Sequence, residues 1–198
     1  MDEERRKKYE EQTDELYAAI GRFSVKFEHV CWAMHSGILS MLELAGLRNQ
    51  RVGQAVLAGL TAEPLKTMFR AVLAECCKDR LDDAEQKIIA DVMKRVGSLI
   101  ESRNDIIHRT WFVGWAPESQ KDFSTVIGAN DRNTARGIEI RSLSWNQADF
   151  DRLSEEADEM TKLVNRLWGT EFANTIKGSK FTDTFIRDVD GTVRVRPG

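Results

Sequence analysis

A long run of apolar residues at helical spacing constrains the fold of this chain more than any other feature. Between about Thr13 and Ala45, apolar side chains recur every three or four positions: Leu16, Ile20, Phe23, Phe27, Val30, Met34, Ile38, Leu42 and Ala45. This spacing predicts one long amphipathic helix with a single buried face. Gly21 and Gly37 interrupt the run, and Gly46 is the predicted C-terminal stop.

Two shorter helices follow from the same spacing. The first is expected at about Gln50 to Leu60. The second begins at Thr61 as its N-cap, has Pro64 in its first turn, and runs to about Cys77. A proline is tolerated there because the first helical N–H groups have no partner within the helix.

Two longer helices complete the helical part. One is expected at 82–108 with Asp82 or Asp83 as N-cap, and the other at 146–168 with Asn146 as N-cap. The first directs Ile88, Ile89, Val92, Val96, Leu99, Ile100, Ile106 and Ile107 inward. The second directs Phe150, Leu153, Ala157, Met160, Val164, Leu167 and Trp168 inward.

The pattern changes after Trp111. "WFVGW", "DFSTVIGAN" and "GIEIRSLSW" are short β-like runs separated by Gly, Asn and Asp, which indicates an irregular hairpin. Near the C-terminus, Asp190 and Gly191 form a turn signal between alternating residues. This tail is expected either as a small hairpin or as a partly ordered arm.

The expected fold is therefore mainly all-α. It is an antiparallel bundle of four or five helices, with a β-hairpin-like insertion before the last long helix. We assign residues 1–175 to the helical-bundle domain, with the insertion at 111–144, and residues 176–198 to the C-terminal arm. A bundle of this size often buries its remaining apolar surface in a two-fold homodimer.

Composition limits the classes of function. The chain has 198 residues, 41% of them hydrophobic and 31% charged, with a net charge of -3, which argues against non-specific coating of nucleic acid. It has no apolar run of about 18 residues and no apolar leader. Its three cysteines, Cys31, Cys76 and Cys77, fit neither a disulfide framework nor a metal knuckle. We expect a cytoplasmic protein without a membrane segment.

"ESRNDIIHRTWFVGW" is the segment with the strongest functional signal. On a helix, Asn104 and His108 share a face, whereas Arg103 and His108 are separated by about 140° around the axis. A loosened last turn, a long arginine side chain, or a second copy of the motif across a two-fold axis would bring them together.

The residue types in this segment suit RNA cleavage without a metal. A guanidinium matches phosphate oxygens, and a histidine exchanges protons near neutral pH. His108 would activate a 2′-hydroxyl, Arg103 would stabilise the charge that develops on the phosphorus centre, and Asn104 would orient the substrate. Asp105, Arg109 and Trp111 are weaker candidates for substrate binding.

"RNDIIH" resembles the signature of the HEPN superfamily, which is Arg, four to six residues and His, often with Asn directly after the Arg. By that resemblance, Arg103, Asn104 and His108 are the matching positions. The resemblance implies a helical homodimer, a site at the dimer interface, and metal-independent ribonuclease activity in toxin–antitoxin, phage-defence or abortive-infection systems. It also implies RNA as substrate, an antitoxin or defence protein as a further partner, and no cofactor. It covers about residues 13–108 and the last helix.

Other interpretations of the same residues stay open. Arg22 and His29 also fit the bare pattern, but Phe23 stands where the polar residue belongs. His108 and Arg109 would also stabilise a helix C-terminus through the helix dipole. The competing function is therefore a non-catalytic HEPN-like binding, scaffold or sensor subunit.

Two further features favour structural roles. Asp105 and His108 have the spacing of a bundle metal-ligand pair, but the second acidic-x-x-His that such a site needs is missing, so we expect no metal. Trp111, Phe112 and Trp115 either stack RNA bases or pack the insertion onto the helices, and packing is favoured. The N-terminal "EERRKKYEE" balances acids against bases and is expected as a solvated helix start.

Overall fold

The computed structural model describes residues 3–78, 80–115, 122–134, 137–177 and 180–197. Within them the chain is mainly helical with small antiparallel sheets, as the spacing of apolar residues predicts. The helices are α1 (Glu3–Leu44), α2 (Gln50–Leu57), α3 (Ala62–Cys76), α4 (Asp83–Ile107), α5 (Gln147–Lys177) and α6 (Phe181–Thr184). The packing of four or five of them into one antiparallel bundle stays a prediction.

The described residues also contain five β-strands, which form two separate sheets. β1 (Thr110–Trp111), β2 (Thr125–Thr134) and β3 (Gly137–Asn146) form an antiparallel sheet in that order. β4 (Phe185–Arg187) and β5 (Val193–Val195) form an antiparallel hairpin. Both β regions were expected from the sequence. Of the predicted insertion, residues 116–121 and 135–136 lie outside the described residues.

The ends of α1 show how local sequence sets helix length. The helix begins ten residues before Thr13, in the charged segment, where Arg6–Glu10 and Lys7–Glu11 pair across one turn at 3.3 and 4.0 Å. It ends at Leu44 because Gly46 has a φ of 105°, as its predicted role as a stop requires. Ala45 lies beyond the helix and is exposed, so its predicted inward position is wrong.

Side-chain caps begin the two later long helices. The N–H of Glu85 donates to Asp82 Oδ1 at 2.9 Å, which makes Asp82 rather than Asp83 the cap of α4. The N–H of Asp149 likewise donates to Asn146 Oδ1 at 3.2 Å and starts α5. At Thr61, the N-cap of α3, the backbone is extended but the hydroxyl makes no capping bond.

The chain divides into two compact units. The first comprises Met1–Phe27 and Glu101–Glu156, and contains the beginning of α1, the end of α4, the three-stranded sheet and the beginning of α5. Its interior is apolar and includes Leu16, Phe23, Phe27, Ile106, Val126 and Phe150. On one face of the sheet, Trp111 and Trp145 lie with ring centroids 5.4 and 5.1 Å from that of Phe150.

The second unit comprises Glu28–Ile100 and Ala157–Gly198. Its buried apolar residues include Met34, Ile38, Phe69, Leu73, Val92, Val96, Met160, Leu167, Phe181, Phe185 and Val193. A Cβ at Gly37 would lie 2.7 Å from both Phe69 and Trp168, so only glycine allows these rings to approach α1.

The C-terminal tail is ordered in its described part. The β4–β5 turn contains Gly191 with a φ of 86°, and the backbone N–H of Thr192 lowers the pKa of Asp190 by donating to its carboxylate. Phe181, Phe185 and Val193 are buried, and β4 pairs with β5 as a small hairpin; the assignment of residues 176–198 to a separate arm stays a prediction. The assignment of residues 1–175 to one helical domain stays a prediction.

The remaining expectations concern cysteines and membranes. None of the three cysteines forms a disulfide within the described part of the chain; Cys77 is buried, and Cys31 and Cys76 are partly buried. None of the helices in the described ranges has the length and apolar character needed to cross a membrane.

Candidate functional site

The predicted motif lies at the C-terminal end of α4. The helix ends at Ile107, and one further helical bond follows it, from the N–H of His108 to the carbonyl of Asn104 at 3.1 Å. Asn104 and His108 therefore share one face of the last turn, as their spacing predicts, and both are exposed. Ile107 was expected to face inward, but it is also exposed because the helix ends there.

Arg103 is the partly buried member of the motif. Its guanidinium carbon lies 5.6 Å from the centroid of the Phe27 ring, and its Nη1 donates to Asn104 Oδ1 at 3.3 Å. Phe27 is buried, so the ring is a fixed support for the cation. The contact with Phe27 and the bond to Asn104 restrict the positions that the guanidinium can take.

Unlike Arg103, His108 is exposed at the surface. Its imidazole makes no hydrogen bond, ion pair or ring contact with any described residue, Arg103 included. The structure thus brings Arg103 and Asn104 into contact but leaves His108 separate, as expected for residues about 140° apart on one helix. The ring is open to solvent and to any molecule that approaches this end of α4.

Asp105 and Arg109 bind each other. Arg109 Nη2 lies 2.9 Å from Asp105 Oδ2, and Nη1 donates to the carbonyl oxygen of Arg141 in β3 at 3.0 Å. The Arg109 side chain is only 5% exposed. Asp105 and Arg109 thus have a structural role at this helix end, and their part in substrate binding stays a prediction.

Trp111 also has a structural role. Its indole Nε1 donates to the carbonyl of Ile106 at 2.8 Å, which satisfies one of the last carbonyl groups of α4. Its ring lies against Gly128, where a Cβ would approach it to 2.7 Å. These contacts favour the packing interpretation for Trp111 over base stacking. Trp115, by contrast, is exposed.

Arg109 and Trp111 together stabilise the C-terminal end of α4: Arg109 binds Asp105 and β3, and Trp111 bonds to the Ile106 carbonyl. The sequence alone also allowed His108 to bond to the last carbonyls of α4, but among the described residues the side chain that bonds to one of them is Trp111. Of the six predicted site residues, Asn104, Asp105 and His108 are exposed, Arg103 is partly buried, and the Arg109 side chain is almost fully buried.

The competing match to the motif has a different environment. Arg22 Nη1 forms an ion pair with Asp151, so its guanidinium links α1 to α5 within the first unit. His29, the other residue of that match, is exposed on α1. Arg22 therefore has a structural contact, and the choice of Arg103–His108 as the functional match stays a prediction.

Phe27 is the site residue that sequence reasoning missed. Its apolar character and spacing identified it as a core position, which it is. No local signal indicates which cation will lie over a ring 76 positions away in the chain. The residues described also contain no group of three or more His, Cys, Asp or Glu side chains arranged to hold a metal ion.

Comparisons with known proteins found no relative of this chain. No protein-family model matches the chain, and neither curated proteins nor solved structures gave a match. The residues at the end of α4, and the resemblance of their pattern to the HEPN signature, therefore carry the functional signal of this chain.

Proposed function

We propose that this protein is a metal-independent endoribonuclease of the HEPN type, acting in a defence or toxin–antitoxin system, with a site that a second copy of the chain completes. The observation that carries the proposal is the division of roles at the end of α4. Arg109 and Trp111 hold the helix end. His108 is exposed and its imidazole has no contact partner among the described residues, while Arg103 lies over the buried Phe27 ring.

The proposed reaction uses proton transfer and charge neutralisation. A neutral His108 accepts the proton of a ribose 2′-hydroxyl as that oxygen attacks the adjacent phosphorus. The bond from phosphorus to the 5′ oxygen breaks, and a protonated histidine in the second copy of the motif gives that oxygen a proton. The products are a 2′,3′-cyclic phosphate and a free 5′-hydroxyl, so atoms and charge balance.

Arg103 is suited to the charge that develops in this reaction. Its planar guanidinium pairs with two non-bridging phosphate oxygens, and the Phe27 ring supports the face of the guanidinium that the substrate does not use. Asn104, bonded to Arg103 and exposed, orients the hydroxyl or the phosphate. Because Arg103 and His108 do not meet within one chain, two copies must supply complementary halves of the site.

The proposal is tested by RNA cleavage in EDTA. Wild type and His108→Ala are incubated with end-labelled RNA, and with RNA carrying a single 2′-deoxy position at a mapped cleavage site. We expect His108→Ala to lower the rate by about 10²- to 10⁴-fold, the usual contribution of a general acid–base. The 2′-deoxy position should block cleavage at that site alone, because the attacking hydroxyl is missing.

The chain offers a matched control in His29, an exposed histidine on α1 that belongs to the competing match. His29→Ala should cleave at the wild-type rate. Arg103→Lys should lose most of the activity because an ammonium group does not pair with two phosphate oxygens at once. Equal cleavage by wild type and His108→Ala, or no cleavage by wild type, would refute the nuclease proposal.

The second candidate is a non-catalytic HEPN-like binding, scaffold or sensor subunit. The separation of His108 from Arg103 within one chain favours it, because binding needs only the cation and the amide. In that case wild type binds RNA or a partner protein without cutting it. Arg103→Ala then weakens binding, while His108→Ala leaves binding unchanged.

A further inference from the structure

Strand β3 is an open edge of the three-stranded sheet. The strand order is β1-β2-β3, so among the described residues the ten-residue strand Gly137–Asn146 has a hydrogen-bonded neighbour on one side only. An open strand of this length can pair with another extended chain. It contains neither proline nor lysine, the two residues that most often prevent such pairing.

One backbone hydrogen bond determines which groups of β3 point outward. The N–H of Phe112 donates to the carbonyl of Ile127 at 2.9 Å, so the backbone groups of Ile127 face β1. These directions alternate along antiparallel strands, and Ile127 is opposite Ser144. Ser144, Ser142, Ile140 and Ile138 therefore direct their N–H and carbonyl groups away from β2.

The same residues lie on an exposed apolar face. Ile138 and Ile140 are 73% and 70% exposed, and Ile127 on the neighbouring strand is 47% exposed. Residues directly opposite each other share a face, which assigns these three isoleucines to the side opposite Trp111, Trp145 and Val126. Exposed β-branched residues beside open hydrogen-bonding groups are typical of a surface that pairs with a strand.

The charges on β3 indicate which strand fits. Arg141 Nε and Nη2 bind the two carboxylate oxygens of Glu139 at 3.1 and 3.2 Å, and this bond raises the pKa of Arg141. If two β3 strands lie antiparallel with Ile140 opposite Ile140, each Glu139 is opposite the partner's Arg141. This register is centred on a residue whose backbone groups point outward, as a two-fold β pairing requires.

We propose that β3 pairs with β3 of a second copy of this chain, antiparallel and centred on Ile140, to form a continuous six-stranded sheet. The two Ile140 side chains then lie side by side on one face, with each Ile138 opposite Ser142 of the second copy, and two Glu139–Arg141 pairs cross the interface on the other face. This interface does not depend on the proposed ribonuclease activity, because nothing in its argument uses the α4 motif.

Reversing the charge of Glu139 or Arg141 tests the pairing, and mixing the two variants distinguishes a loss of pairing from a loss of folding. Glu139→Arg places arginine opposite arginine in the homodimer, and Arg141→Glu places glutamate opposite glutamate. Each variant alone should show a dissociation constant at least about tenfold weaker than wild type, as expected from like charges directly opposite each other. In an equimolar mixture every crossing pair is complementary, and the heterodimer should regain the wild-type dissociation constant.

Analytical ultracentrifugation without RNA measures the association, and native mass spectrometry identifies the heterodimer by its mass. Ile140→Lys should also weaken the dimer, since two lysines would be adjacent at its centre. Ile127→Lys is the matched control, because it introduces the same charge on the same face but on the central strand. Circular dichroism checks that each variant is folded.

Three outcomes would overturn the proposal. They are a wild-type chain that stays monomeric, a dimer that both charge reversals leave intact, and single variants that do not form a heterodimer on mixing. A wild-type monomer that binds an extended peptide of another protein along β3 would assign the edge to that partner instead. A monomeric wild type would also remove the second copy that the proposed nuclease site needs. A dimer that both charge reversals leave intact would overturn the β3 interface alone, and equal RNA cleavage by wild type and His108→Ala would overturn the nuclease proposal alone, so the two failures can be distinguished.

Discussion

The two ends of α4 use polar residues in opposite ways. At the N-terminal end, Glu85 is 4% exposed and both of its carboxylate oxygens accept hydrogen bonds, from the N–H of Phe181 at 2.8 Å and of Asp82 at 3.3 Å. At the C-terminal end, Asn104 and His108 are exposed. A polar group with several internal partners serves the fold, whereas one that the fold leaves exposed is available for a ligand. Three predictions test this contrast.

The largest expected effect on stability is that of Glu85→Ala. The substitution removes the acceptor of the buried Phe181 N–H and half of the reciprocal cap with Asp82. We expect the free energy of unfolding to fall by about 3 kcal/mol, since a buried donor loses a charged acceptor. Urea denaturation at an unchanged m-value measures it. Glu85→Gln retains one acceptor oxygen and should lose less, and a loss below about 0.5 kcal/mol for Glu85→Ala would contradict the assignment.

The next effect distinguishes two neighbours at the C-terminal end. Arg109→Ala should lower the free energy of unfolding by about 2 kcal/mol, because it removes a buried side chain that binds both Asp105 and β3. His108→Ala should change it by less than about 0.5 kcal/mol, as for other exposed substitutions. Thermal and urea unfolding of the two variants give the comparison. The reverse order would assign the structural role to His108 and remove the basis of the catalytic proposal.

The smallest effect compares one exposed residue from each end. Asp82→Ala removes the side-chain cap of α4 and should cost about 1 kcal/mol. Asn104→Ala removes a bond to Arg103 but no cap, and should cost less than about 0.5 kcal/mol. If the two losses are equal, the contrast between the ends holds only for the buried groups.

The sequence predicted the helices well because their apolar spacing is sustained over many turns. Asp82 and Asn146 also identified the starts of α4 and α5, since capping depends on a few adjacent residues. Apolar spacing alone placed the beginning of α1 at about Thr13, ten residues late, because charged pairs stabilise its first turns; the charged segment 3–11 was separately expected as a solvated helix start, and α1 begins there. Ile107 was wrong because the periodicity of a helix does not show where its burial ends.

The β region could be predicted only as strands. In "GIEIRSLSW", Ile138 and Ile140 alternate in one phase, and Leu143 and Trp145 in the other. The two alternating sets are equally apolar, so the alternation does not show which face of the strand packs on the helices. The pairing with β2 shows that the tryptophan face packs and the isoleucine face is exposed.

The site was predictable as a set of residues but not as an arrangement. Arg103, Asn104 and His108 follow from local spacing. The support of Arg103 by Phe27, and the inward position of Arg109, are contacts between distant parts of the chain. Such contacts distinguish the partly buried Arg103 from the almost fully buried Arg109, and local sequence does not contain them.

Because Gly128 has no Cβ, it helps to fix the register in which β1 and β2 pair. The indole of Trp111 fits against β2 only at that position, because a Cβ there would approach the ring to 2.7 Å. If β2 slipped by two residues, which keeps every side chain on its own face, Val126 or Asn130 would meet the indole instead and could not be accommodated. Gly128 and Trp111 therefore select one alignment out of several that hydrophobicity alone would accept.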